Sequence, residues 1–156
     1  MKIHFVTDNV IEIEGESLQN LNFDKQNLHR VIFENLDLTN SSFINSDLRG
    51  AFLYKGNFTG CNFQNANFIV ADLREAILVN ANLKNCIAYS ARFIDTDLRN
   101  ANLESANIKD ACFKGARLQG TNMLCKEIET ADFENSTYDE STIWPLNFLP
   151  AKALKI

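Results

Sequence analysis

Large apolar residues return at every fifth position along most of this chain. The series runs Leu18, Phe23, Leu28, Phe33, Leu38, Phe43, Leu48, Leu53, Phe58, Phe63, Phe68, Leu73, Leu78 and Leu83. After Ala88 it continues through Phe93, Leu98, Leu103, Ile108, Phe113, Leu118, Met123, Ile128, Phe133, Tyr138, Ile143 and Phe148. Of these 27 places only Ala88 is small, and no insertion or deletion disturbs the count. Two residues before each centre the chain is also restricted, reading Cys61, Ala66, Ala71, Ala76, Ala81, Cys86, Ala91, Thr96, Ala101, Ala106, Ala111 and Ala116. The residue just before the centre is Asn or Asp in 15 of the 27 units.

Neither common backbone accepts a period of five. On an α-helix five residues advance about 500°, so successive centres wander around the cylinder and form no stripe. In a flat strand an odd period sends alternate centres to opposite faces. Each unit must therefore contain its own turn. Within the extended part, the small residue and the centre lie two apart and point inward together, while the Asn/Asp between them points out. Asn, Asp, Ser and Gly among the remaining positions suit tight corners. A single coil of this kind cannot bury its core, so coils must stack.

The unit of small residue, Asn/Asp, large apolar residue and two variable residues resembles the pentapeptide-repeat family, A-(D/N)-L-x-x, over about residues 16–148. That resemblance implies an all-β solenoid, a right-handed quadrilateral parallel β-helix with four units per coil. Phe23/Phe43/Phe63 and Phe93/Phe113/Phe133 recur at spacing 20 and suit such a coil, but Leu and Phe also alternate at spacing 10 from Leu18 to Leu48, so the residues alone leave the closure open. With adjacent strands about 4.8 Å apart, roughly 6.5 coils make a rod about 31 Å long. Three segments follow: an N-terminal β cap over 1–15, the repeat over 16–148 and a tail over 149–156. In the cap, Ile3–Val6 and Val10–Ile13 flank Thr7-Asp8-Asn9 and read as a hairpin. The tail reads as a short helix after Pro145 and Pro150, whose late arrival marks the end of coiling. Two departures stand out: Ala88 at a centre, and Lys126 at an inward position, where burying an unpaired ammonium is costly. The coil near 124–130 is expected to open and let the lysine reach water.

Composition narrows the function. Apolar residues are 46%, charged residues 22% and the net charge −5, which argues for a folded chain and against nucleic acid or an anionic membrane as partner. No apolar run approaches the roughly 20 residues needed to cross a bilayer. The start resembles neither a secretory signal nor a transit peptide, and four dispersed cysteines suit a reducing cytoplasm. Cys61 and Cys86 fall at inward positions; Cys112 and Cys125 read as outward, without zinc spacing to His4 or His29. No metal, cofactor or catalytic residue is assigned. A convex rod without insertions offers no concave pocket, and no phosphate loop or nucleophile motif occurs. The Asn and Asp residues read as outward ladders, such as Asn62/Asn82/Asn102/Asn122, bonded along the stack.

The expected function is a non-enzymatic solenoid that binds another protein or itself. Its alternative comes from the resemblance: the family includes DNA mimics that bind type II topoisomerase (gyrase) and alter quinolone sensitivity. A mimic needs concentrated negative charge, yet on the four faces that a twenty-residue coil defines the outward charges sum to −2, 0, −1 and −2. Outward apolar residues are more informative. Phe52, Tyr54, Ile69, Val70, Ile87 and Tyr89 fall on two adjacent faces in the middle coils and form a candidate interaction patch. Trp144, Leu146, Phe148 and Leu149, with Leu154 and Ile156 beyond, are candidates for an end cap or for a homodimer contact; resistance members of the family pair through that end.

Overall fold

The structure, a computed structural model, describes residues 2–6, 10–13 and 17–156. Parallel bridges join residues twenty apart, from Asn22–Ser42 up to Asn102–Asn122. Four five-residue units therefore make one coil, and the ambiguity between ten and twenty is resolved. The donors of a single unit show why the backbone accepts this path. The Asn62 N–H donates to the Ser41 carbonyl in the coil below (3.0 Å), and those of Phe63 and Asn65 to Asn82 and Lys84 in the coil above (2.7 and 3.0 Å). The Ala66 N–H closes the corner onto the Phe63 carbonyl (3.0 Å). That leaves the Gln64 N–H, and the side-chain oxygen of Asn62 accepts it (3.1 Å).

This last bond gives the Asn/Asp row its main role. Its oxygen accepts the N–H two residues on at Asn27, Asp47, Asn57, Asn67, Asp72, Asn82, Asp97, Asn102, Asn107, Asn122 and Asp132 as well. It is an Asx turn, repeated wherever Asn or Asp holds this row from Asn22 to Asp132. Of the ladder proposed along Asn62/Asn82/Asn102/Asn122, only the Asn82–Asn62 bond forms (3.1 Å). Each corner then needs a left-handed residue. All 21 fifth positions from Asn20 to Gly120 have positive φ, and Asn and Gly, which tolerate that region, supply most of them.

Every centre from Leu18 to Phe133 is buried, Ala88 included. Phe23, Phe43 and Phe63 stack at centroid spacings of 5.0 and 4.7 Å, and Phe93, Phe113 and Phe133 at 4.7 and 5.2 Å. These spacings match the rise of one coil. The inward hydroxyls of Thr96 and Thr121 reach the coil below and donate to the carbonyls of Leu73 and Leu98 (2.8 and 2.7 Å).

The register slips twice near the C-terminal end. The bridge Asn107–Lys126 spans 19 residues instead of 20, and a 3-10 helix over Ile128–Thr130 restores the count before Asp132 pairs with Cys112. The slip moves Lys126 into the outward row, where it is exposed, and brings Cys125 inward against the Leu103 carbonyl (3.4 Å). The outward reading of Cys125 is thus corrected, and the cost of a buried ammonium is the physical reason. One extra residue then enters before Ile143, which bridges Asn122 across 21 residues. Thr142 becomes the inward residue, and Ile143, read as a centre, is 49% exposed. Tyr138 and Phe148 are half-buried.

At the N-terminal end β1 (Lys2–Phe5) pairs antiparallel with β2 (Val10–Glu12), and its other edge pairs antiparallel with β3 (Val31–Ile32) of the first coil. The Thr7-Asp8-Asn9 turn lies outside the described residues. At the other end β4 (Thr137–Tyr138) pairs in parallel with β5 (Leu154–Lys155). The tail is a strand, not a helix, because the open edge of the last coil offers it hydrogen-bond partners that an isolated six-residue helix would lack. Among the described residues no helix is long and apolar enough to cross a membrane.

Candidate interaction surfaces

The patch residues divide into two environments. On the face built over Leu53 and Leu73, Phe52 and Tyr54 are half-buried. Lys55 and Arg74 approach the Tyr54 ring to 4.9 and 5.5 Å, and its hydroxyl donates to Glu75 (3.0 Å). Tyr54 therefore belongs to a polar cluster. On the next face, over Phe68 and Ala88, Ile69 is half-buried, Val70 is 58% exposed, and Ile87 and Tyr89 are each 37% exposed. The Val70 N–H donates to the Tyr89 carbonyl (2.9 Å), so the two units stack directly.

Departures from the repeat's own rules coincide here. Val70 holds φ at 51°, a genuine outlier for a β-branched residue. Ile87 stands in the Asn/Asp row, so the Tyr89 N–H meets no acceptor among the described residues. The same holds for Tyr54 after Phe52, for Val79 after Ile77, and for the units that follow Ile32, Arg92, Cys112 and Arg117. Ile77, 40% exposed on the opposite side of the rod, escaped the sequence reading. Its place in the Asn/Asp row was the available signal.

The C-terminal candidates also separate by role. Trp144 and Phe148 pack on the last core: Trp144 meets Phe133 and Tyr138 edge-on at 5.5 Å each, and Phe148 lies 6.0 Å from Phe133. Leu146 and Leu149 face outward, 92% and 79% exposed, beside Ile156 at 71% and Leu154 at 54%. The slipped register adds Ile143 and Leu124, 49% and 43% exposed. A cavity of about 390 Å³ opens at this end between Ile128 and Phe148, and another of about 350 Å³ at the N-terminal end between Ile11 and Phe23.

Most cations form ion pairs, whereas carboxylates such as Asp24, Glu34, Asp95, Asp110, Glu127 and Glu129 form none among the described residues. Arg49, Arg74 and Arg99 each grip the aspartate two residues back, Asp47, Asp72 and Asp97, at 2.6, 2.6 and 2.7 Å. Hydrogen bonds from Arg49 hold the Asp47 carboxyl below the ordinary carboxylate range. Partial burial pushes Asp72 and Asp97 up, but bonds from Arg74 and Arg99 outweigh it and both end below that range. Lys84 pairs with Glu104, and Lys114 with Asp132 and Glu134. The cysteines are free; burial pushes the Cys61 and Cys86 thiols up to about 12, which keeps them protonated. No cluster of potential metal ligands occurs among the described residues.

The family described as pentapeptide repeats matches residues 17–55, 56–87 and 89–123, in 8 copies. The match skips Ala88 and stops just before the first slip. Among solved structures, the chain is similar to a pentapeptide repeat protein from the thylakoid lumen of Arabidopsis thaliana, with 26% identity over 77% of this chain and 66% of that one, TM-score 0.44. It is similar to HetL, a protein involved in heterocyst differentiation regulation in the cyanobacterium Nostoc, with 24% identity over 78% of this chain and 56% of that one, TM-score 0.41. The chain thus spans less than two thirds of either protein. A trypsin-treated form of QnrB1, a plasmid-mediated fluoroquinolone resistance protein, aligns at 19% identity over 90% of both chains, TM-score 0.39. A search of curated proteins returned no match.

Proposed function

The chain belongs to the pentapeptide-repeat family, and from that premise we propose that it is a non-enzymatic interaction module. It is a right-handed quadrilateral β-helix that pairs with a second copy of itself through its C-terminal end, in the cytoplasm, where free cysteines stay reduced. One observation carries this reading. Trp144 and Phe148 already cover the last core, yet Leu146, Leu149, Leu154 and Ile156 remain between 54% and 92% exposed around them. A cap for a monomer has no use for four more bare apolar side chains. A two-fold contact is self-complementary, so each would meet its own copy or a near neighbour. Such an interface buries more than about 1,000 Å² in total. The topoisomerase-mimic reading needs carboxylates free to set a field, and the arginine grip on Asp47, Asp72 and Asp97 weighs against it.

Light scattering tests the pairing. The intact chain should show twice the monomer mass at about 50 µM, within reach of a standard-size interface. Leu146→Asp with Leu149→Asp should give a folded monomer, since neither side chain supports the core. A monomeric intact chain at that concentration refutes self-pairing.

A further inference from the structure

We infer that the flank of the rod is a second contact between copies of this chain, in which two rods lie antiparallel and Ile69 of each faces Tyr89 of the other. This contact lies away from the C-terminal end, so either can fail without the other.

The face built over Leu28, Leu48, Phe68, Ala88, Ile108 and Ile128 has six levels, joined by the bridges from Asn27–Asp47 up to Asn107–Lys126. Its outward apolar residues occupy the middle two: Ile69 and Val70 on the third level, Ile87 and Tyr89 on the fourth. Of the 21 corners from residue 20 to 120, only Val70 is a β-branched residue at positive φ, and strained residues persist where function holds them. A two-fold axis between the third and fourth levels sets level one on level six, two on five and three on four. When two such faces meet antiparallel, each outward column lies on its own copy. Ile69 is then opposite Tyr89, and Tyr89 opposite Ile69, which is the reciprocity a two-fold contact requires.

The charges of the face obey the same symmetry. The lower two levels carry Arg30 and Arg49 against Asp47, a net +1 with histidine neutral. The middle two carry no charge. The upper two carry Lys109 and Lys126 against Asp110, Glu127 and Glu129, a net −1. The slip turns Lys126 outward, so the whole face is neutral and its two halves are opposite. Arg49 is taken up by Asp47 (2.6 Å), whereas Arg30 and the five upper groups have no ion pair among the described residues. Antiparallel pairing sets His29 and Arg30 of one copy against Glu127 and Glu129 of the other. Parallel pairing sets Arg30 on Arg30 and Glu129 on Glu129, and like charges across an interface are costly. A peptide of one sign suits one half of the face and opposes the other; a second copy suits both. The patch is small and the rim charges are screened by salt, so the contact is weak, with a Kd of about 1 mM.

The test uses the full chain, isotope-labelled and carrying Leu146→Asp with Leu149→Asp to remove the end contact. Should the intact chain already be monomeric, the unaltered protein serves equally well. Amide resonances of Val70 and Tyr89 should move as the protein is concentrated from about 50 µM to about 1 mM, and sedimentation should give the same association constant. Arg30→Glu and Glu129→Arg, both on exposed side chains, should each keep the folded spectrum and weaken self-association about tenfold. Combined in one chain they should restore it, because each reversed charge meets the other reversed charge on the second copy. The inference is overturned if these resonances stay fixed over that range, if either single variant associates like its parent, or if the combined variant associates no more tightly than the single ones. Resonances that move with phosphatidylcholine vesicles and not with concentration assign the face to lipid and overturn it as well.

Discussion

Phe113→Ala should separate packing from mere hydrophobicity in this rod. The ring is fully buried and stacks 4.7 Å from Phe93 and 5.2 Å from Phe133. Truncation leaves a ring-sized hole in a column whose coils are pinned above and below by backbone bonds, so collapse is limited. Phe→Ala changes in such cores cost about 3–5 kcal/mol. At about 2–4 °C per kcal/mol for a chain of this size, the melting point should fall by roughly 6–20 °C. Phe113→Leu should cost less than about 1.5 kcal/mol, because Leu53 and Leu73 already occupy the same column lower down. A solenoid's stability is close to a sum over neighbouring coils. Hydrogen exchange should therefore quicken most in residues 93–133, while residues 38–77 stay protected. Chemical denaturation gives the size of the loss and exchange gives its place. Equal losses for Ala and Leu, or exchange that quickens evenly along the chain, would refute the stacked-column account.

Leu73→Lys should unfold the protein by burying an unpaired charge, whereas Lys109→Glu, exposed on the flank, should change stability by less than about 0.5 kcal/mol in urea titration; similar midpoints for the two would contradict the inward and outward assignment. Gly56→Ala should destabilise although alanine is the usual inward residue, because a Cβ there would sit 2.5 Å from the Phe58 ring and 3.1 Å from the Phe33 carbonyl oxygen; an unchanged melting point would show that the ring moves aside freely. Asp47, Asp72 and Asp97 have folded pKa values below their unfolded ones, so their contribution is present above the unfolded value near 4 and disappears as pH falls through the folded values. Urea midpoints should drop between about pH 4 and pH 2, and Asp72→Asn with Asp97→Asn should flatten that drop; a drop of the same size in the double variant would place the acid sensitivity elsewhere.

The inside of this molecule was open to reading because the repeat exposes it many times over. A period of five with small and large residues two apart permits few backbones, and the buried centres from Leu18 to Phe133 follow. Lys126 was informative for the same reason: a cation at an inward position signals that the chain must shift. The direction of that shift was not legible, because a coil can lose or gain a residue at any corner and the choice depends on which neighbour, here Cys125, can take the vacated place. Ile143 and Trp144 show the same limit, since both are apolar and one extra residue in the preceding turn decides which is inside. On the surface, pattern showed which residues point outward but not what they touch. Tyr54 looked like part of an apolar patch until Lys55, Arg74 and Glu75 were found around its ring.

The two ends of the rod differ in strand direction. At the N-terminal end β1 runs antiparallel to the coil it covers, which interrupts the parallel pattern that every coil above it repeats. At the C-terminal end β5 continues that parallel pattern and leaves its own outer edge bare. Such a rod has polarity in its assembly as well as in its chain. A stack growing head to tail would need each end to extend the same ladder, and one end does not. Were copies to associate through the other end as proposed, a two-fold contact would close after two copies and bury the exposed leucines without seeding a fibre.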